Sequence, residues 1–98
     1  VTNDNVPDSL DFRRRRASYR AAHRGTKEMD ILLGRYADAI LPSLDEAALT
    51  RFERFLQLPD PELQNWFFNP QAVAGQEFAD LIGAVRRFHG LDADTGPT

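Results

Sequence analysis

A chain of 98 residues with a formal net charge of -3 is one small domain, and one of this size buries only about 60–65% of its unfolded surface. With no cysteine, neither a disulfide framework nor a thiolate metal site holds it together. No apolar run approaches the ~18 residues of a transmembrane helix, and Asp4, Asp8 and Asp11 interrupt the start where a signal or transit peptide would show itself.

These exclusions lead to the expectation of a soluble protein of a reducing compartment. The charge is lopsided. Residues 1–35 carry eight Lys/Arg against five acids, a balance of +3, and the remainder carries four Arg against ten acids, a balance of -6. Such polarity suits a specific, oriented partner better than a uniform polyanion.

Residues 1–9, polar and carrying Pro7, read as a disordered lead-in. Ser9 or Asp11 then caps a first helix running to about Arg24. Its apolar face is thin (Leu10, Phe12, Ala17, Tyr19 and Ala21 or Ala22), so few packing contacts are expected of it. The stretch Arg24-Gly25-Thr26-Lys27-Glu28 predicts a sharp corner. Gly25 suits the residue just past a helix end, Thr26 caps the next helix, and Glu28 lands in its positively polarised first turn. Arg24 is placed in the last turn of the first helix. The same features describe an ordinary tight helix–helix turn.

The second helix is strongly patterned, with Met29, Leu32, Leu33, Tyr36 and Ile40 on one face. Gly34 within it marks a close helix crossing, and Pro42 ends it. Ser43 and Glu46 have capping-box spacing ahead of a third helix that buries Ala48, Leu49, Phe52, Phe55 and Leu56. Asp60 as cap and Pro61 at the first helical position start a short fourth helix lined by Leu63, Trp66 and Phe67, which Asn69-Pro70 terminates. Three bulky residues in a row cannot all face inward, so Phe68 or part of Trp66 is left for a contact. A fifth helix places Phe78, Leu81, Ile82, Val85 and Phe88 on one face and closes at Gly90; a mobile tail follows over 91–98. No strand-length alternation and no repeat is present. The predicted fold is all-α, a single-domain bundle of about five short helices spanning residues 10–90.

Catalytic groups are sparse. His23 and His89 lie at opposite ends of the chain without metal-ligand spacing, no phosphate loop or dinucleotide fingerprint occurs, and capping accounts for the Asp45/Glu46 pair. The chain is not expected to be an enzyme or to bind metal. The run Arg13-Arg14-Arg15-Arg16 fits a nucleic-acid-binding or toxin–antitoxin-type regulator, the alternative reading. Consecutive helical residues point in different directions, however, and the overall balance is acidic, which argues against nucleic acid.

Two stretches together resemble a known family. Arg24-Gly25-Thr26-Lys27-Glu28-Met29-Asp30 is similar to the Arg-Gly-x-x-Glu-(Leu/Met)-Asp motif of the succinate dehydrogenase assembly factors, the SdhE-type flavinylation factors. Phe55-Leu56, followed by Leu58-Pro59-Asp60-Pro61-Glu62-Leu63-Gln64-Asn65-Trp66, resembles the family's second signature, an Asp-Pro-x-Leu-x-x-Trp element. The resemblance covers about residues 12–89. It implies a five-helix bundle and a helper that binds the flavoprotein subunit of succinate dehydrogenase and, in some cases, of fumarate reductase. Such a helper promotes covalent attachment of FAD to a histidine of that subunit, binds no cofactor tightly itself, and does not insert into the membrane. Arg24, Gly25, Glu28 and Asp30, with Tyr19 and His23, would form the partner-binding corner. Asp60, Trp66 and Phe68 would be structural or secondary contacts. A bacterial cytoplasmic location is expected, with the mitochondrial matrix as the alternative.

Overall fold

The Ser9 hydroxyl accepts the Phe12 N–H at 3.2 Å and so caps α1 (Leu10–Ala22). Residues 9–73 and 75–91 are described by a computed structural model; the expected lead-in over 1–8 and the tail from 92 onward lie outside them. Among the described residues there are five α-helices and no strand, so the chain is all-α as expected. It falls into two compact units that meet in sequence at Gln57 and Leu58.

In the first unit α1 differs from its sequence reading. Ala17 and Ala21 are its buried residues, while Phe12 and Tyr19 are 37% and 64% exposed. At 100° per residue, Phe12 and Tyr19 share a face roughly opposite that of Ala17 and Ala21, and the small side chains win the interior. The reason lies in α2 (Lys27–Ile40). A Cβ on Gly34 would stand 3.1 Å from the Ala22 Cβ and 3.2 Å from its Cα, so the two helices approach more closely than a bulky ring would permit. Gly34 does mark a close crossing. Ser18 adds a hydrogen bond from its hydroxyl to the Asp38 carboxylate at 3.1 Å.

The apolar face of α2 is buried as predicted at Met29, Leu32, Leu33 and Tyr36, with Ile40 half-buried. A 3-10 turn, Leu41–Ser43, follows at Pro42. The expected Ser43/Glu46 capping box does not form. Ser43 still belongs to that turn and donates its hydroxyl to the Ile40 carbonyl at 3.0 Å. Asp45, extended, caps α3 (Glu46–Leu56) by accepting the Ala48 N–H at 2.8 Å. Leu49, Phe52, Phe55 and Leu56 are buried on α3, whereas Ala48 is half-buried; the Phe52 ring lies 6.2 Å from Tyr36 and 6.0 Å from Phe55.

The arginine run ties α1 to α3, so α1 packs more firmly than its thin apolar face predicts. Arg13 donates to the Glu53 carboxylate and, at 2.7 Å, to the Thr50 hydroxyl. Arg14 reaches the Leu44 carbonyl at 2.9 Å, and Arg16 lies 3.7 Å from Glu53 and over the Phe12 ring.

In the second unit α4 (Asp60–Phe68) begins at the predicted cap, one residue earlier than expected. Pro59 is the N-cap, its carbonyl accepting from the N–H groups of Glu62 and Leu63, and Asp60 is the first helical residue. Leu63, Trp66 and Phe67 are buried and Phe68 is exposed, as the crowding of bulky residues required. A 3-10 turn, Pro70–Val73, leads on to α5 (Ala79–Phe88). Phe78, Ile82 and Val85 are buried; Leu81 is half-buried. Phe88, expected on the same face, is 48% exposed, because three residues past Val85 the helix has carried it to the margin, where its ring meets His89 edge-on at 5.0 Å. Gly90, at φ 76°, closes α5 in a Schellman motif: its N–H bonds to Arg87 at 3.1 Å and that of Leu91 to Arg86 at 2.8 Å. The Arg86 guanidinium donates to the Phe67 carbonyl at the end of α4.

Candidate functional site

The connector between α1 and α2 is four residues long, His23 to Thr26. Because α1 stops at Ala22, Arg24 lies beyond the helix and not in its last turn. Gly25 has φ 132°, a conformation that L side chains rarely adopt, and stands two residues past the C-cap His23. Thr26 caps α2 as predicted, its hydroxyl accepting the Met29 N–H at 3.2 Å.

The six residues assigned to the corner divide into two groups. Arg24 and Asp30 are half-buried and turned inward. The Arg24 N–H donates to the Asp30 carboxylate, and the guanidinium donates to the Leu56 carbonyl at 2.6 Å. Leu56 is the last residue of α3, where unsatisfied carbonyls carry partial negative charge. Tyr19, His23, Gly25 and Glu28 are exposed. The Tyr19 and His23 rings stack at 3.9 Å and 18°, with His23 Nδ1 2.8 Å from the Tyr19 carbonyl oxygen. A carbonyl only accepts, so Nδ1 carries the proton and Nε2 is the nitrogen left free. Among the described residues the Glu28 carboxylate has no hydrogen-bond or ion-pair partner.

Two features were not read from sequence. Ile31 is exposed one turn beyond Glu28 on the same face of α2, and its place off the Met29–Leu33 stripe was the available signal. The bond from Arg24 to Leu56 had no such signal, since a main-chain acceptor leaves no mark in the side-chain pattern. Trp66 is buried and Asp60 opens α4. Phe68 lines a shallow groove with Pro61, Gln64, Asn65 and Asn69 on the outer side of α4.

Of the arginine run, Arg13, Arg14 and Arg16 are engaged within the first unit and Arg15 is exposed, so the run is no phosphate-gripping stripe. The hydrogen bond from Arg13 holds the Glu53 carboxyl below its ordinary value; burial opposes it, and the charges of Arg13 and Arg16 add to it. Among the described residues no three His, Asp or Glu side chains gather as metal ligands, and no helix is long and apolar enough to cross a membrane.

The profile of the family described as the flavinator of succinate dehydrogenase matches residues 15–89, which takes in α1 from Arg15 onward, the corner, all of α2 and the Asp60–Trp66 segment. The chain belongs to this family. Flavinator-family relatives include the FAD assembly factor SdhE of Acetobacter pasteurianus, 48% identical over 61 residues, covering 62% of this chain and 56% of that protein. Succinate dehydrogenase assembly factor 2, mitochondrial, of Dictyostelium discoideum is 32% identical over 83 residues, 85% of this chain and 59% of that one. The SdhE of Shewanella oneidensis is 32% identical over 66 residues, 67% of this chain and 80% of its own length. The chain thus spans little more than half the length of the first two relatives. No solved structure matches it.

Proposed function

We propose that this flavinator-family chain binds the flavoprotein subunit of succinate dehydrogenase through the α1–α2 corner and promotes covalent attachment of FAD to a histidine of that subunit. One observation carries the reading: an exposed carboxylate with no partner among the described residues, Glu28, follows three residues after Gly25, which is itself exposed at φ 132°. Gly25 lets the partner approach the main chain, where a side chain would intrude. Glu28 supplies a charge-assisted bond that gives orientation as well as affinity. The names of the relatives, FAD assembly factor and succinate dehydrogenase assembly factor, support the choice of partner.

On this reading the chain is a chaperone and not an enzyme. Flavin and acceptor histidine both belong to the partner, and this chain holds no cofactor of its own. It binds better to the partner conformation in which the two are aligned, so its contribution is positioning through differential affinity. Fumarate reductase flavoprotein is a second client, and the bacterial SdhE relatives support a bacterial cytoplasmic setting.

The test is capture of the flavoprotein subunit, with covalent flavin fluorescence of that subunit measured in gels with and without this protein. Covalent flavin is expected to rise with the wild-type chain and to fall with Glu28→Ala at nearly unchanged melting temperature. Complete loading in its absence overturns the proposal.

A further inference from the structure

Arg24 enters the corner with both its main chain and its side chain bound inside the protein. The N–H is held by Asp30, which sits in the first turn of a helix already fixed by the Thr26 cap. The guanidinium is held by the Leu56 carbonyl at 2.6 Å. At that end of α3 the Gln57 N–H serves the carbonyls of Arg54 and Phe55, and Arg24 serves the next one along the chain. A guanidinium bonded to a helix C-terminus gains from the partial negative charge there. With Nη1 on that carbonyl, the guanidinium is anchored at the end of α3.

We infer that Arg24 is a positioning residue for docking: Asp30 and the end of α3 fix Arg24, and Arg24 in turn fixes how Gly25 and Glu28 are presented. This deepens the proposed function and rests on the corner being the docking surface. The connector is pinned on either side of Gly25, by the Arg24 bonds before it and by the Thr26 cap after it. The unusual dihedral at Gly25 absorbs the turn between those two anchors. The motif's two flanking charges therefore divide their work. Arg24 is anchored within the fold, while Glu28 keeps its acceptor capacity for the partner.

Double-mutant cycles on affinity for the flavoprotein subunit test this, using variants that keep the wild-type helical signal. Arg24→Ala and Asp30→Ala should each weaken binding about tenfold, and the double variant no further than either alone, because both remove one brace. Because Arg24 acts partly by presenting Glu28, Arg24→Ala and Glu28→Ala together should weaken binding by less than the product of their separate effects. In the isotopically labelled chain, the Arg24 Nε–H resonance should keep its free-state position in the complex while the Gly25 amide moves. An Arg24 effect that multiplies with that of Asp30, or an Arg24 Nε–H that shifts on docking, overturns the inference. Should the wild-type chain not bind the flavoprotein, the docking reading fails separately. The brace is then judged in the free protein by Asp30→Ala, which must displace the Gly25 amide resonance; an unmoved Gly25 amide overturns it.

Discussion

The guanidinium of Arg13 in α1 meets the carboxylate of Glu53 in α3 through two hydrogen bonds, Nη2 to Oε1 at 2.7 Å and Nε to Oε2 at 3.1 Å. The side chains are only 12% and 17% exposed, so the pair is well removed from solvent. Forty residues separate the partners in sequence, and the bond staples two helices that sequence alone does not pair. Truncating either member leaves the other charge half-buried with only a longer ion pair, Arg16 at 3.7 Å for Glu53 or Glu46 at 3.5 Å for Arg13, which costs about 2 kcal/mol, between the values for surface and buried pairs. Arg13→Ala and Glu53→Gln should both lower the urea midpoint to that extent.

Glu53 also sets a pH dependence. Its folded carboxyl titrates below the ordinary value of 4.5, mainly because Arg13 hydrogen-bonds it, so in acid the unfolded chain takes up its proton first. The stabilisation is therefore complete above that ordinary value and is lost as pH falls through the lower folded one. Wild-type stability should decline more steeply than that of Glu53→Gln between about pH 5 and pH 3, as followed by urea unfolding across that range.

Gly25 carries a backbone requirement that is independent of any partner. At φ 132°, Gly25→Ala should lose about 1–2 kcal/mol while retaining the helical circular dichroism of wild type. Gly25→Arg should fold with similar helical content and fail to bind the flavoprotein, because its side chain projects from the corner. Calorimetry reads the first effect and affinity measurement the second.

The crossing at Gly34 sets two opposing terms against each other. A helix gains about 1 kcal/mol from Gly→Ala. Here the new Cβ would meet the Ala22 Cβ at 3.1 Å and its Cα at 3.2 Å, and a helix backbone cannot swing aside as a flexible side chain does. Overpacking of this kind costs about 1–3 kcal/mol, so Gly34→Ala should be destabilising by about 1 kcal/mol in chemical unfolding.

The start of α3 separates two candidate caps. Asp45→Ala should destabilise by about 1 kcal/mol, because the Ala48 N–H loses its acceptor. Ser43→Ala should cost less, since that hydroxyl only adds a donor to the Ile40 carbonyl. Equal melting temperatures for the two variants would restore the capping box inferred from spacing.

What was legible in the sequence follows from where the signal is local. The stripes of α2 and α3 were read correctly because large apolar side chains recur on one face, and Thr26 acts within a turn of its own position; Gly34 stood out as a glycine inside a helix, although the Ala22 it meets lies in α1. The α1 helix was misread because its interior face is alanine, which carries little hydrophobic signal, while the larger rings of Phe12 and Tyr19 suggested a core they do not join. At the corner, Gly25, Thr26 and Glu28 were placed as residues of a turn. The inward engagement of Arg24 was not legible, since it depends on the end of a helix more than 30 residues later.

The distribution of chromophores gives each unit a separate optical reporter. Trp66, the sole tryptophan, is buried in the second unit, and both tyrosines, Tyr19 and Tyr36, lie in the first. Indole emission and tyrosine absorbance followed in one thermal scan therefore record the two halves independently, and coincident midpoints would identify a single cooperative transition.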